Sequence, residues 1–235
     1  MPESIVYNRP WLYPKQLDAI FCPERYAVVE ATTKAGKSVA CLVWITEQAM
    51  GREGIYWYVA PVFALAKVMF RRLKKMLPPD LYASSEGELT VTLVNGSVIW
   101  FKSGDNPDSL YGEDVMGAVL DEATRVKEES WHAVRSTLTA TEGKARLIGN
   151  VRGKKNWAYK LARKAEAGMD HYHYAKLVAW DAVEAGVLHK AEVEDARAAR
   201  PEAVFHELYL AQPPDDGANP FGIQAIRDCI APLAD

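Results

Sequence analysis

The stretch VVEATTKAGKSVACLVW, residues 28–44, constrains the fold more than any other. An apolar run enters a short polar loop, and Gly36-Lys37-Ser38 then opens a segment of helical character. A strand, a tight loop and Gly-Lys-Ser/Thr at a helix start are the parts of a phosphate-binding loop. Each part has a physical job. Gly36 lets the backbone approach a phosphate without a Cβ. The N–H groups along Thr33, Lys34 and Ala35, with the helix N-terminus, supply partial positive charge. Lys37 can reach the β and γ phosphates of a nucleotide, and the Ser38 hydroxyl can ligate Mg²⁺. Two positions are irregular. Ala31 stands where the first glycine is usual, and Lys34 puts a charge inside the loop. Alanine is the smallest replacement for glycine, and Lys34 adds a cation beside the phosphates.

Such a loop needs a sheet behind it. YAVVEA (26–31), GIYWYVAP (54–61), MGAVLDEA (116–123) and ARLIGN (145–150) read as apolar strands. Helices are expected over 37–50, 62–77, about 127–138 and about 155–167. In the second of these, Phe63, Ala66, Phe70, Leu73 and Leu77 share one side, with Arg71, Arg72, Lys74 and Lys75 elsewhere. LTVTLVNGSVIWFKS (89–103) alternates around Asn95-Gly96 and predicts a hairpin with a two-residue type I′ turn. Strands alternating with helices imply a mainly parallel sheet covered on both faces. From about residue 178 the pattern turns to helical pieces, and PPDDGANPFG reads as loop or linker. The expected architecture is α/β: a RecA-like (ASCE-type) P-loop NTPase core over 1–178, a small helical lid over 179–212 and a linker or tail over 213–235.

The second chemical signal is VLDEA (119–123), an apolar strand ending in two carboxylates. Ligands of open parallel sheets bind at the carboxyl ends of the strands. Asp121 can hold Mg²⁺ there, directly or through water. Glu122 can orient and deprotonate an attacking water. Solvated acids at a strand end are common, but together with the loop they point to ATP hydrolysis. The adjacent glutamate favours ATPases over GTPases, which usually position water with a glutamine.

Bulk properties bound the alternatives. At 235 residues the chain suits one α/β domain, or one with a small appendage. A net charge of −3 argues against coating DNA through overall charge but leaves room for a local basic track. No run of about 18 apolar residues is present, and the start lacks the pattern of a secretory signal. Cys22, Cys41 and Cys229 are far apart without a CxxC pair, which favours a reducing compartment and argues against a zinc site. His171 and His173 read as one face of a surface strand.

These residues resemble the large subunit of phage terminases, a DNA-packaging motor. NRPWLYPKQLDAI (8–20) is similar to the family's N-terminal glutamine segment. The resemblance implies that Gln16 reads adenine and Tyr13 stacks on it. ATTKAGKS is similar to the family's deviant Walker A, which often lacks the first glycine and carries a basic residue, so the irregular loop fits a working variant. GDNPDSLYGEDVMGAVLDEATRVKEESWHAVRSTL (104–138) resembles the block around Walker B. ARLIGNVRGKKNWAYKLARKA (145–165) resembles the coupling motif, in which Asn150 would sense the γ-phosphate. FHELYLAQPPDDGANPF (205–221) resembles the end of the family's ATPase region. The family's loop often has Arg where Thr33 or Lys34 stands. The family also continues into a nuclease domain, so the chain is expected to be the isolated ATPase half or a short relative, without nuclease activity.

The resemblance further implies a homo-oligomeric ring, a pentamer on a portal, threading double-stranded DNA delivered by a small terminase subunit in the cytoplasm of an infected host cell. A neighbour's arginine would complete each site. Arg125, Arg135, Arg146 and Arg152 are the candidates, each with a surface salt bridge as its plainer role. DNA contact would be sequence-independent, through Arg71–Lys75 or through Arg152, Lys154, Lys155, Lys160, Arg163 and Lys164. Both stretches also read as solvated helix faces, and Trp157 and Tyr159 as packing residues. Two other readings stand beside the motor: a helicase-like or other RecA-like nucleic-acid-dependent ATPase, and a non-catalytic nucleotide-binding assembly module.

Overall fold

The structure, a computed structural model, describes residues 5–213. Its strands are β1 (Tyr26–Ala31), β2 (Ile55–Ala60), β3 (Tyr82–Ser85), β4 (Thr90–Leu93), β5 (Val98–Ser103), β6 (Val115–Leu120), β7 (Lys144–Gly149) and β8 (Tyr172–Leu177). The helices are α1 (Pro14–Ile20), α2 (Lys37–Gly51), α3 (Phe63–Met76), α4 (Glu128–Thr137), α5 (Trp157–Glu166), α6 (Ala179–Glu184), α7 (Lys190–Ala198) and α8 (Glu202–Leu210). The strands form one sheet in the order β3-β4-β5-β2-β6-β7-β1-β8. Pairing is parallel from β5 to β8, while β3 and β4 add an antiparallel edge.

Burial explains why these segments pair. β1 is buried at all six positions, as a strand covered on both faces must be. Alternate residues feed two cores. Ala27, Val29 and Ala31 join Leu42, Ile45, Phe70 and Leu73 on the α1–α2–α3 side. Tyr26 and Val28 join Trp131, Val134, Ala158 and Ala162 on the α4–α5 side. α6, α7 and α8 form a small unit of their own around Ala179, Val193 and Phe205.

Three local expectations are corrected. The Asn95-Gly96 hairpin closes through a three-residue loop: Leu93 N donates to Ser97 O and Gly96 N to Leu93 O. Only Gly96 takes a positive φ, of 89°, whereas a type I′ turn needs both central residues there. Asn95 is instead held by its side chain, which donates to Ala49 O and accepts from Ser97 N. Phe63, the first residue of α3, is 53% exposed, and Met69 takes a place in the core. His171 precedes β8 with a φ of 66°, so it does not share a strand face with His173.

The topology has one decisive feature. β1, which leads into the loop, and β6, which leads into Asp121 and Glu122, are not neighbours. β7 lies between them, and the residue after it, Asn150, therefore emerges between the two motifs.

Candidate active site

The loop from Thr32 to Gly36 caps the carboxyl edge of the sheet. Gly36 is the N-cap of α2 at φ 77°, a left-handed conformation that favours glycine. A Cβ there would also lie 2.3 Å from Gln16 Nε2. Lys34 is left-handed too, at φ 63°, and its side chain points to solvent. Ala31 is fully buried, so its methyl is accommodated in the core rather than against the loop's open face.

Helix α1 braces this loop from behind. Gln16 Nε2 donates to Gly36 O at 3.0 Å, and Gln16 Oε1 accepts from Tyr13 N at 3.1 Å. Tyr13 Oη donates to Ala35 O at 2.7 Å, and the Tyr13 side chain is buried. In this arrangement both residues act on the loop's backbone.

Lys37 is the electrostatic centre. Its Nζ lies 2.9 Å from Asn150 Oδ1 and 3.1 Å from Glu122 Oε1. Asn150 Nδ2 in turn donates to Thr33 Oγ1 at 3.2 Å. One amide thus ties the lysine to the loop. Glu122 holds a left-handed conformation, φ 50° and ψ 48°, which is costly for a side chain with a Cβ and recurs at functional sites. The turn around it is packed tightly against β7: a Cβ on Gly149 would lie 3.1 Å from Ala123 N. Thr124 Oγ1 donates to Asn150 O, and Asn156 Nδ2 to Thr124 O, which locks the turn to the start of α5.

Asp121 is 6% exposed. Burial is the main cause that raises its carboxyl above the ordinary carboxylate range, and the hydrogen bond from Tyr58 opposes it. Tyr58 Oη donates to Asp121 Oδ2 at 2.7 Å, and Glu122 N to Oδ1 at 2.9 Å. Ser38 lies beside the same phenol. Ser38 and Asp121 are therefore brought together around Tyr58, which the sequence reading did not single out. Its place comes from register: in β2, parallel to β6, Tyr58 pairs with Val119, two residues before Asp121, which the sequence alone does not reveal.

The arginine candidates separate. Arg125 and Arg152 are exposed and follow the strands that carry Glu122 and Asn150. Arg135 is exposed at the far end of α4, its guanidinium 5.8 Å from the ring of Tyr26, the first residue of β1. Five steps of about 3.3 Å separate that end of β1 from the loop. Arg146 is fully buried and donates to the carbonyls of Ile20, Cys22 and Ala145, so it staples the α1–β1 connection and cannot reach a neighbour. Of the basic stretches, Lys74 is paired with Glu86, and Arg163 with Glu30 and Glu166. Trp157 packs on the α4–α5 core and donates to Val126 O.

Outside the sheet, α8 touches the site directly: Thr33 N donates to Leu208 O at 3.0 Å.

Fold and site together define a RecA-like P-loop domain with a second acid beside the strand-end aspartate. The comparisons with known proteins add a relationship. The chain is 26% identical over 151 residues to the terminase large subunits of Thermus phage G20c and Thermus virus P23-45, across 54% of its own length. It spans about a third of these curated relatives, since the match takes in 31% of each. The ATPase domain of the Thermus phage P74-26 large terminase superposes with a TM-score of 0.72 at 22% identity, covering 86% of this chain and 94% of that one. The large terminase of another thermophilic bacteriophage, solved in complex with ATP-gamma-S, superposes at 0.68 with 16% identity over 85% of this chain and 52% of that one. No family model matches the sequence. The resemblance to terminase large subunits is thus found again in sequence and in fold.

Proposed function

We propose that the chain is the ATPase motor domain of a viral terminase large subunit, hydrolysing ATP to drive double-stranded DNA into a procapsid. The observation that carries this reading is the position of Lys37, held between Asn150 and Glu122. A cation at the loop, a polar sensor on the next strand and a carboxylate in a left-handed turn are the groups a phosphoryl transfer to water needs.

ATP is the substrate, and the loop's residues fit it. Lys37, aided by Lys34 and the N–H groups of Lys34, Gly36, Lys37 and Ser38, binds the phosphates, whereas those of Thr33 and Ala35 already donate to Leu208 O and Thr32 O. Arrival of the γ-phosphate gives Lys37 a new anionic partner, which frees Glu122 to take a proton from water. Asn150 is then the residue that registers whether the γ-phosphate is present. Gln16 and Tyr13 hold the loop's backbone in shape, and reading adenine would require Gln16 to exchange the Gly36 carbonyl for the base. The oxygens of Ser38 and Asp121, both beside Tyr58, are hard donors that suit Mg²⁺, which when bound would neutralise phosphate charge.

The relatives are named as terminase large subunits, and this chain's partners follow from that reading. A homo-oligomeric ring, a pentamer on a portal, would let Arg125, Arg152 or Arg135 of one subunit complete a neighbour's site. Exposed Arg71, Arg72, Lys75, Lys160 and Lys164 supply cations for sequence-independent contact with the DNA backbone. A small terminase subunit would deliver the DNA, in the host cytoplasm. Among the described residues no helix is long and apolar enough to cross a membrane.

The test is steady-state ATP hydrolysis with Mg²⁺ over a range of protein concentrations, for the parent and Glu122→Ala. Turnover per subunit that rises with concentration and vanishes in the variant supports a ring ATPase. Turnover that survives in Glu122→Ala rules out the assigned base. Binding without hydrolysis, also when DNA is added, returns the chain to a non-catalytic assembly role.

A further inference from the structure

At the opposite edge of the sheet from the P-loop, three side chains of metal-ligating type converge. Cys22 and Glu24 lie on the connection between α1 and β1, and His173 lies on β8, paired in register with Ala27 near the start of β1. One ligand atom of each, Cys22 Sγ, a Glu24 carboxylate oxygen and a His173 ring nitrogen, all fall within 4.8 Å of one another. His173 Nδ1 stands 4.0 Å from Glu24 Oε2. That oxygen is shielded from solvent and has no hydrogen-bond partner, although the rest of the side chain is 38% exposed. The group opens into a cleft of about 430 Å³ that Asp18 and Phe21 also line.

We infer that Cys22, Glu24 and His173 form a binding site for a zinc-class divalent cation. Thiolate, imidazole and carboxylate together are a Zn²⁺ donor set, and three protein ligands leave the fourth position to water from the open cleft. Ligand atoms around tetrahedral Zn²⁺ lie about 3.3–3.6 Å apart, from bonds of about 2.0–2.3 Å. The 4.0 Å between His173 Nδ1 and Glu24 Oε2 exceeds that spacing by less than about 1 Å. A cation also gives a ligand to the shielded carboxylate oxygen, which makes no hydrogen bond of standard length. Charge balances: Zn²⁺ with one thiolate and one carboxylate is neutral, so the buried Arg146 behind Cys22 is tolerated.

Spacing alone could not reveal this site, because the third ligand lies far along the chain from the first two. Its bond would pin the α1–β1 connection to β8. Through α1, which carries Gln16 and is capped by Tyr13, it would brace the P-loop from the far side of the sheet. The inference stands apart from the ATPase reading and survives its failure.

The test uses the full chain under a non-thiol reductant, with Co²⁺ as an optical probe. Thiolate coordination gives an intense charge-transfer band in the near ultraviolet, which Mg²⁺-type oxygen sites such as Asp121 do not. We expect the band in the parent and in Cys229→Ser, its displacement by Zn²⁺, and its loss in Cys22→Ser. His173→Ala should weaken Co²⁺ affinity at least tenfold. Zn²⁺ should raise the melting temperature of the parent but not of Cys22→Ser, whose fold is checked by circular dichroism without metal. No band at saturating Co²⁺, or a band that persists in Cys22→Ser, overturns the proposal.

Discussion

Lys37 and Glu122 form an ion pair of 3.1 Å across the carboxyl edge of the sheet, joining the loop after β1 to the turn after β6. The lysine is 10% and the glutamate 24% exposed, so water screens the pair only partly. The carboxylate proposed as the general base is thereby held by the lysine proposed to bind phosphate.

Glu122→Gln tests this competition. The amide releases the lysine charge and cannot accept the water's proton. Nucleotide affinity should hold or rise, while turnover falls by about 10²–10⁴-fold, the usual loss for a general base. Titration of a fluorescent ATP analogue alongside single-turnover hydrolysis separates the two. A large drop in affinity would mean that Glu122 helps to bind rather than to react.

Tyr58→Phe should move the pH profile in a defined direction. Burial raises the Asp121 carboxyl and the Tyr58 hydrogen bond lowers it, so removing the phenol raises it further. Mg²⁺ needs the ionised carboxylate. The acid limb of Mg²⁺-dependent turnover should therefore shift to higher pH, with the alkaline limb unchanged. The stability sign is the opposite of an ordinary salt-bridged acid. With its folded value above the unfolded value of 3.8, Asp121 favours the fold most below 3.8, and that contribution is lost as pH rises through the folded value.

Gly36→Ala carries two penalties: a left-handed φ and a Cβ 2.3 Å from Gln16 Nε2. Only the second depends on Gln16. In a double-mutant cycle with Gln16→Ala, part of the loss should be recovered, giving a coupling of about 0.5–3 kcal/mol in urea denaturation. Strict additivity would place Gln16 away from the loop.

Arg146→Met leaves the carbonyls of Ile20 and Cys22 without their donor inside the protein. Leaving buried carbonyls without a donor should cost about 1–3 kcal/mol, visible as a lower midpoint in urea. A change within about 0.5 kcal/mol, the size usual for surface substitutions, would show that this arginine is not a staple.

Much of this was legible in the sequence, and the reasons are local. The loop, the strand ending in Asp121-Glu122 and the helices around them are set by short apolar runs and punctuating glycines and prolines, which periodicity reveals. Asn150 was placed by resemblance, and the strand order gives its position a physical cause, since β7 lies between the two motif strands. What could not be read depends on register across the sheet or on distant partners. Tyr58 matters because β2 runs beside β6. Arg146 looked like a candidate surface arginine until the α1–β1 connection folded over it. β3 escaped notice because YASS has little apolar alternation and pairs only at the sheet's edge. The Asn95-Gly96 turn failed on a finer point: Asn95 bonds α2 with its side chain and keeps a negative φ.

The hydrogen bond from Thr33 N to Leu208 O has a consequence for the order of assembly. A ribosome makes the loop early and α8 last among the described elements, and domains take shape from the amino terminus as they emerge. The loop's backbone therefore gains this partner only when the final helix arrives. Until then a nascent chain carries every residue of the phosphate loop, but not its finished form.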